Sequence, residues 1–285
     1  MFAQVQKRTK QQAAQELTVA QSTLFAKQAL AYNVCEFIYS RGVFPRNCFA
    51  KKNFQGATVH VLAPRPDAAD REKVRRLLAY IQGVYDAMEK RYLKEVVVSV
   101  GEEAAADRDR AVDVLTLRVD YGEEMRPIVQ LRSPPDQPNA TVFDRHAYQG
   151  EEEKRRAVRA MLLNLGRFTA ALEPLPAGVE HRVRFKLTYH SWTPADYEPP
   201  NFGPSVGLFH FGGRESKAEL IGFVADQRFV LRAKLESTGL VDGAADELVE
   251  DRHVDDSQLH AAATVAPKVS AGVREPILFA EPKRM

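Results

Sequence analysis

The sequence predicts an α+β fold: three helices packed on a mainly antiparallel sheet, followed by a disordered tail. Three observations predict it. Three stretches repeat apolar residues at helical spacing. Several short runs between and after them are β-branched or alternate strictly. Beyond about residue 240 both patterns vanish. The chain has 285 residues, 45% of them apolar, enough for one sizeable core.

The elements follow in order. Residues 17–41 read as a helix, with Ala26, Leu30, Val34, Phe37 and Ile38 on one stripe; Gly42 and Pro45 stop it. A flexible segment, 1–16, precedes it. "GATVHVLAP" (56–64) holds a short strand. Asp67 is expected to cap a second helix carrying Val74, Leu77, Ile81, Val84 and Met88. "LKEVVVSV" (93–100) and "VDVLTLRV" (112–119) form a hairpin around a long charged loop. Residues 123–149 hold four prolines and read as a loop or insertion. The third helix, about 151–173, opens on three glutamates suited to the positive end of its dipole. "VEHRVRFKLTY" (179–189) then alternates: Val183, Phe185, Leu187 and Tyr189 on one face, Arg182, Arg184, Lys186 and Thr188 on the other. That is a half-buried antiparallel strand. "VGLFHF" (206–211) and "FVLRAKL" (229–235) are strand-like, and "AELIGFV" (218–224) is ambiguous. Residues 241–271 are acidic and then small and unpatterned, a disordered linker.

Composition narrows the function. A formal charge of +2 does not suggest nucleic-acid binding by bulk charge. No apolar run approaches a membrane span, and the start lacks a hydrophobic signal core, so an intracellular protein without membrane contact is expected. Cys35 and Cys48 are the only cysteines: no disulfide framework and no zinc constellation. There is no phosphate loop, no GxGxxG and no paired histidines, so no enzyme and no cofactor is expected. "KRRAVR" (154–159) reads as a solvated helix face. The alternative is a DNA-binding patch of Lys154, Arg155, Arg156 and Arg159.

Three stretches carry a resemblance. "FIYSRGVFPRNCF" (37–49) ends the first helix. "YDAMEKRYLKEVVVSV" (85–100) runs from the second helix into the sheet. "TPADYEPPNF" (193–202) leaves the last core strand. Together they resemble the HORMA domain, the third stretch its meiotic chromosome-axis (HORMAD-type) branch, over about residues 17–240. The resemblance implies a core of about 17–191 and a "safety belt" of about 192–240. The belt wraps over a "closure motif" peptide added as a strand to the sheet edge at 179–189. It places Arg182, Arg184, Lys186, Thr188, Trp192, Tyr197 and Phe202 at the peptide, with the three aromatics and Pro199-Pro200 anchoring a stiff strap. Longer members of the branch carry zinc-binding or other chromatin-reading modules, which two cysteines cannot build.

The implied role is a non-enzymatic meiotic axis scaffold in the nucleus, supporting axis assembly, homologue pairing, synapsis and crossover control. Its implied partners are closure motifs of other axis proteins and an AAA+ remodelling ATPase, with DNA association indirect. A checkpoint or repair adaptor is the alternative within the family. The tail "GVREPILFAEPKRM" (272–285) then reads as a closure motif of the chain's own, built on Val273, Ile277, Leu278 and Phe279. It could engage its own belt or that of another copy. Ile277 and Phe279 are expected to face the core and Leu278 the belt. Ser257, before Gln258 in the acidic linker, is a candidate phosphosite.

Overall fold

The two β-branched runs of the predicted hairpin form the spine of the sheet. The computed structural model describes residues 2–63, 67, 70–103, 105, 107–122, 151–226, 228–239 and 279–282, with backbone alone for 2–18 and 279–282. In chain order the elements are α1 (Phe2–Ser40), β1 (Phe49–Phe54), β2 (Ala57–Leu62), α2 (Arg71–Glu89), β3 (Leu93–Glu102) and β4 (Asp113–Tyr121). They continue with α3 (Glu151–Ala170), β5 (His181–Tyr189), β6 (Phe202–Ser205), β7 (Lys217–Ala225), β8 (Phe229–Ser237) and β9 (Phe279–Pro282). β1 and β2 form a separate hairpin. The other seven strands form one sheet in the order β6-β9-β5-β3-β4-β8-β7, every neighbouring pair antiparallel.

The helices cover one face of this sheet. There Val96, Val98, Val100, Leu115, Leu117, Val119, Phe185 and Leu187 pack with Leu30, Phe37 and Ile38 of α1, Val84 and Met88 of α2, and Leu162 and Leu165 of α3. On the opposite face Val97, Ala111 and Val114 form a small cluster with Phe209 and Phe211 from the chain after β6.

Several sequence expectations shift. α1 begins at Phe2, taking in residues of the 1–16 segment expected to be flexible. β1 was not foreseen; its lysines, Lys51 and Lys52, are exposed and hide the alternation. Asp70 rather than Asp67 precedes α2, without a side-chain cap bond, while Asp67 accepts a hydrogen bond from Asn47 (2.6 Å). Residues 206–211 are no strand; their one β-type pairing among the described residues is a single parallel bridge between Arg110 and His210. The ambiguous 218–224 is strand β7. β5 is not half-buried: Lys186 and Thr188, on its polar face, are as inaccessible as Phe185 and Leu187. The 123–149 and 241–271 segments, with Ser257, lie outside the described residues.

Two buried carboxylates tie the layers together. Asp113 at the start of β4 accepts from Arg41 Nε at the end of α1 (2.7 Å) and from Ser237 Oγ at the end of β8 (2.6 Å). Asp226, in the β7–β8 turn, accepts from Ser22 Oγ of α1 (3.0 Å) and Lys154 Nζ of α3 (2.8 Å). Lys154 is thus a core residue, not a member of an exposed basic patch; Arg155, Arg156 and Arg159 remain exposed. Removing one member of such a pair leaves its partner charged and desolvated. Asp113→Ala should therefore destabilise the chain by about 3–5 kcal/mol, read as a lowered urea midpoint.

Candidate functional site

β6 pairs with β9 and not with β5. The two older neighbours in the chain thus flank a slot one strand wide, and β9 fills it. On one side Leu187 pairs with Ala280 and Thr188 with Phe279. On the other, Phe202 pairs with Pro282, Gly203 with Glu281, Pro204 with Ala280 and Ser205 with Phe279. β5 is the strand to whose edge the resemblance implied that a peptide adds, and here β9 occupies that edge, so that β5 is internal. Its outer backbone groups meet the tail. In the backbone register Ala280 pairs with Leu187, a core residue, and Phe279 with Thr188. Val273, Ile277 and Leu278 lie outside the described residues.

The chain leaves β5 through a rigid root. His190 N–H donates to Tyr92 O (2.9 Å), and the His190 ring Nε2 meets Val119 O at 3.0 Å. The His190 ring stacks flat on Trp192, centroids 4.2 Å apart, and the indole N–H donates to Arg91 O (2.9 Å). Burial holds the His190 pKa down, from 6.5 to about 4, so this imidazole is neutral at physiological pH. Tyr197 donates its hydroxyl to Asp86 of α2 (2.7 Å), meets Tyr92 and Tyr189 edge-on, and carries the Lys90 ammonium over its ring (4.9 Å). Burial and this bond push its phenol pKa up.

Trp192 and Tyr197 are only half-buried; they anchor through their polar ends. The sealed residues are Pro199 and Phe202. Phe202 packs beside Tyr80 (6.0 Å between centroids) and against Gly83 of α2. A Cβ on Gly83 would lie 2.3 Å from Pro200 O and 2.7 Å from the Phe202 ring, so only glycine admits the strap this close. Asn201, at φ 69°, makes the turn into β6 and donates to Ala79 O (3.0 Å).

After β6 the strap crosses the face of the sheet away from the helices. Lys186 is its underpinning: fully buried, its ammonium binds Asp109 (2.7 Å) and Gly207 O (3.3 Å) and lies 4.7 Å from the Phe209 ring centroid. Phe209 and Phe211 pack on Val97, Ala111 and Val114, and His210 O accepts from Ala111 N–H (2.8 Å). The strap ends in the β7–β8 hairpin on the far edge of the sheet.

Of the sequence-predicted site residues, Thr188 and Phe202 sit directly at the slot, and Lys186 supports its cover. Arg182 and Arg184 do not reach it. Arg182 pairs with Glu103, and Arg184 donates to Glu102 O (3.1 Å). Gly83, Asp86, Asp109, Phe209 and Phe211 were missed. Only Gly83 left a signal, being a glycine inside an otherwise regular helical stripe.

Comparison with known proteins fits this geometry. Among curated proteins, the chain is 25% identical over 236 residues to meiosis-specific protein ASY1 of Arabidopsis thaliana, covering 81% of this chain and 38% of that protein. It is 28% identical over 221 residues to HORMA domain-containing protein 1 of Xenopus laevis, covering 76% and 53%. The chain thus spans less than two-thirds of the length of these relatives. Among solved structures it is similar in fold to C. elegans HTP-1 bound to HTP-3 motif-1, with a TM-score of 0.63, 17% identity, and 77% and 91% of the two chains covered. HTP-2 bound to the HIM-3 closure motif gives a TM-score of 0.63, 19% identity and coverage of 76% and 90%. The family model described as the HORMA domain matches residues 22–210, well over half of the sequence, and the chain belongs to that family.

Proposed function

We propose that this chain is a meiotic chromosome-axis adaptor. It holds a closure-motif peptide by strand addition in the slot between β5 and β6, and its own residues 272–285 supply one such peptide. The observation that carries this reading is the pairing of β9 with β5 on one side and β6 on the other. Main-chain hydrogen bonds give such a site affinity without demanding one sequence. Each nets only about 0.5–1.5 kcal/mol, so a four-residue ladder binds modestly by itself. The strap changes the kinetics, because a seated peptide leaves only when the strap opens locally.

The relatives support the setting. ASY1 is named as meiosis-specific, and the HTP-1 and HTP-2 structures hold HTP-3 motif-1 and the HIM-3 closure motif. On this reading the chain works in the nucleus, on the chromosome axis. It takes closure motifs from other axis proteins, supports axis assembly, pairing, synapsis and crossover control, and is reopened by an AAA+ remodelling ATPase. Fully extended, 31 residues of chain (241–271) reach at most about 100 Å, enough for the tail to serve its own slot or a neighbour's. The burial of Lys154 argues against the DNA-binding alternative.

The test is entry of a labelled 272–285 peptide into the full chain. Ala280→Pro removes a backbone N–H and fixes φ away from strand values, which should empty the slot of its own tail. The labelled peptide should then bind the variant faster than the parent chain. Binding to neither would refute the proposal.

Two further outcomes follow from the strap. Phe202→Ala removes its sealed anchor, a change worth about 3–5 kcal/mol in a packed core, and should speed peptide release at least about ten-fold. An unchanged off-rate would show that the anchor lies elsewhere. The second concerns acid. His190 has a folded-state pKa near 4, below its unfolded value of 6.5. As pH falls between these values the unfolded chain takes up a proton that the folded root refuses. The contribution of His190 to stability should therefore fall through that window, by up to about 3 kcal/mol, and change no further below it. Lys94, Arg118 and Asp120 are the charged groups that lie near the ring. His190→Asn should flatten the slope of stability between pH 6.5 and 5, measured by urea unfolding.

A further inference from the structure

We propose that Tyr80 of α2 roofs the slot and makes it select peptides by size. The two register positions of the added strand held by Ala280 and Pro282 take compact residues only. This rests on the strand-addition reading above and names what that site selects.

Three rings meet on the helix side of the slot. Phe185 of β5 and Phe202 of β6 are both buried in the core there. Their strands flank β9 and so lie two strand spacings, about 9.5 Å, apart. The Tyr80 ring is in packing range of both, its centroid 5.6 Å from that of Phe185 and 6.0 Å from that of Phe202. One ring reaches both only by lying over the strand between them. This roof is clamped in place. Asn201, at the turn into β6, donates to the carbonyl of Ala79, the residue before Tyr80 (3.0 Å). One helical turn on, Gly83 lies so close to the strap that a Cβ there would stand 2.3 Å from Pro200 O. α2 is thereby tied to the strap on both sides of Tyr80.

Register names the positions beneath the roof. Phe202 pairs with Pro282, while Leu187 and Pro204 both pair with Ala280. Directly opposed residues of an antiparallel ladder share a face of the sheet. Phe202 and Leu187 are core residues, so register positions 280 and 282 belong to the helix side, beside Tyr80. The alternate positions, 279 and 281, belong to the face away from the helices. The sequence of β9 follows the same division: Phe279 and Glu281 are large, Ala280 and Pro282 compact. A bulky residue at 280 or 282 would compete for space that Tyr80, Phe185 and Phe202 already fill, and a packed interior tolerates added volume poorly.

The test compares labelled 272–285 peptides on the full chain carrying Ala280→Pro, which keeps its own tail from the slot. Each variant peptide differs from the native one at a single position: Ala280→Phe, Pro282→Phe or Glu281→Phe. The dissociation constant should rise at least about ten-fold for the first two and stay within about three-fold for the third. On a host that also carries Tyr80→Ala, the Pro282→Phe peptide should bind within about three-fold of the native peptide. The ratio of two peptides on one host cancels any general loss of stability, and Tyr80→Leu replaces Tyr80→Ala if the latter does not fold. If the native peptide binds no host, the strand-addition reading falls, and this proposal with it. If it binds and the Ala280→Phe and Pro282→Phe peptides bind equally well, the size rule is wrong while the slot stands. If Pro282→Phe stays equally weak on the Tyr80 variants, Tyr80 is not the roof.

Discussion

The outer edge of β5 presents backbone groups that the helices cannot satisfy and that β6 does not reach. Leu187 and Thr188 are buried on both faces, so an unfilled ladder at their edge would leave desolvated N–H and C=O groups without partners. The strand in the slot meets that need from one side and gives β6 a ladder from the other. The position of the strap follows. Among the described residues β6 pairs with no other strand, and its pairing with the sheet passes through the strand it covers.

The strap is held at three stations by different physics. At its root, stacking and backbone hydrogen bonds fix His190 and Trp192. In the middle, shape dominates: Phe202 fills the dent left by Gly83. At the crossing a buried charge decides, because Lys186 can be covered only where Asp109 and the Gly207 carbonyl meet its ammonium. A buried cation is a weak source of net stability but can specify position, here by drawing the Gly207 carbonyl of the strap to the ammonium beside Asp109. Apolar burial at Phe209 and Phe211 then seals the crossing.

Much of the framework was legible in the sequence. The helical stripes of α2 and α3 and the alternation of β5 placed those elements to within a few residues, because each buries one regular face. The strap was legible only through its resemblance. Proline and aromatic residues mark it, but no periodicity says what it covers. β1 escaped because its outward face is lysine-rich, and 206–211 misled because aromatics at alternate positions look like a strand whether they pair or merely pack. The polar face of β5 looked solvated because its cover comes from residues more than twenty positions on. Lys154 looked like surface for the same reason: its carboxylate, Asp226, is distant in sequence and carries no local signal.

The three-layer edge of β5, β9 and β6 has a thermodynamic corollary. Because the middle strand pairs with both neighbours while they do not pair with each other, occupancy of the slot and docking of β6 are reciprocally coupled. Whatever loosens the strap must weaken the seated peptide by the same factor, and a tighter peptide must stiffen the strap in equal measure. A reversible opener acting on any part of the strap would therefore need no contact with the peptide to lower its occupancy.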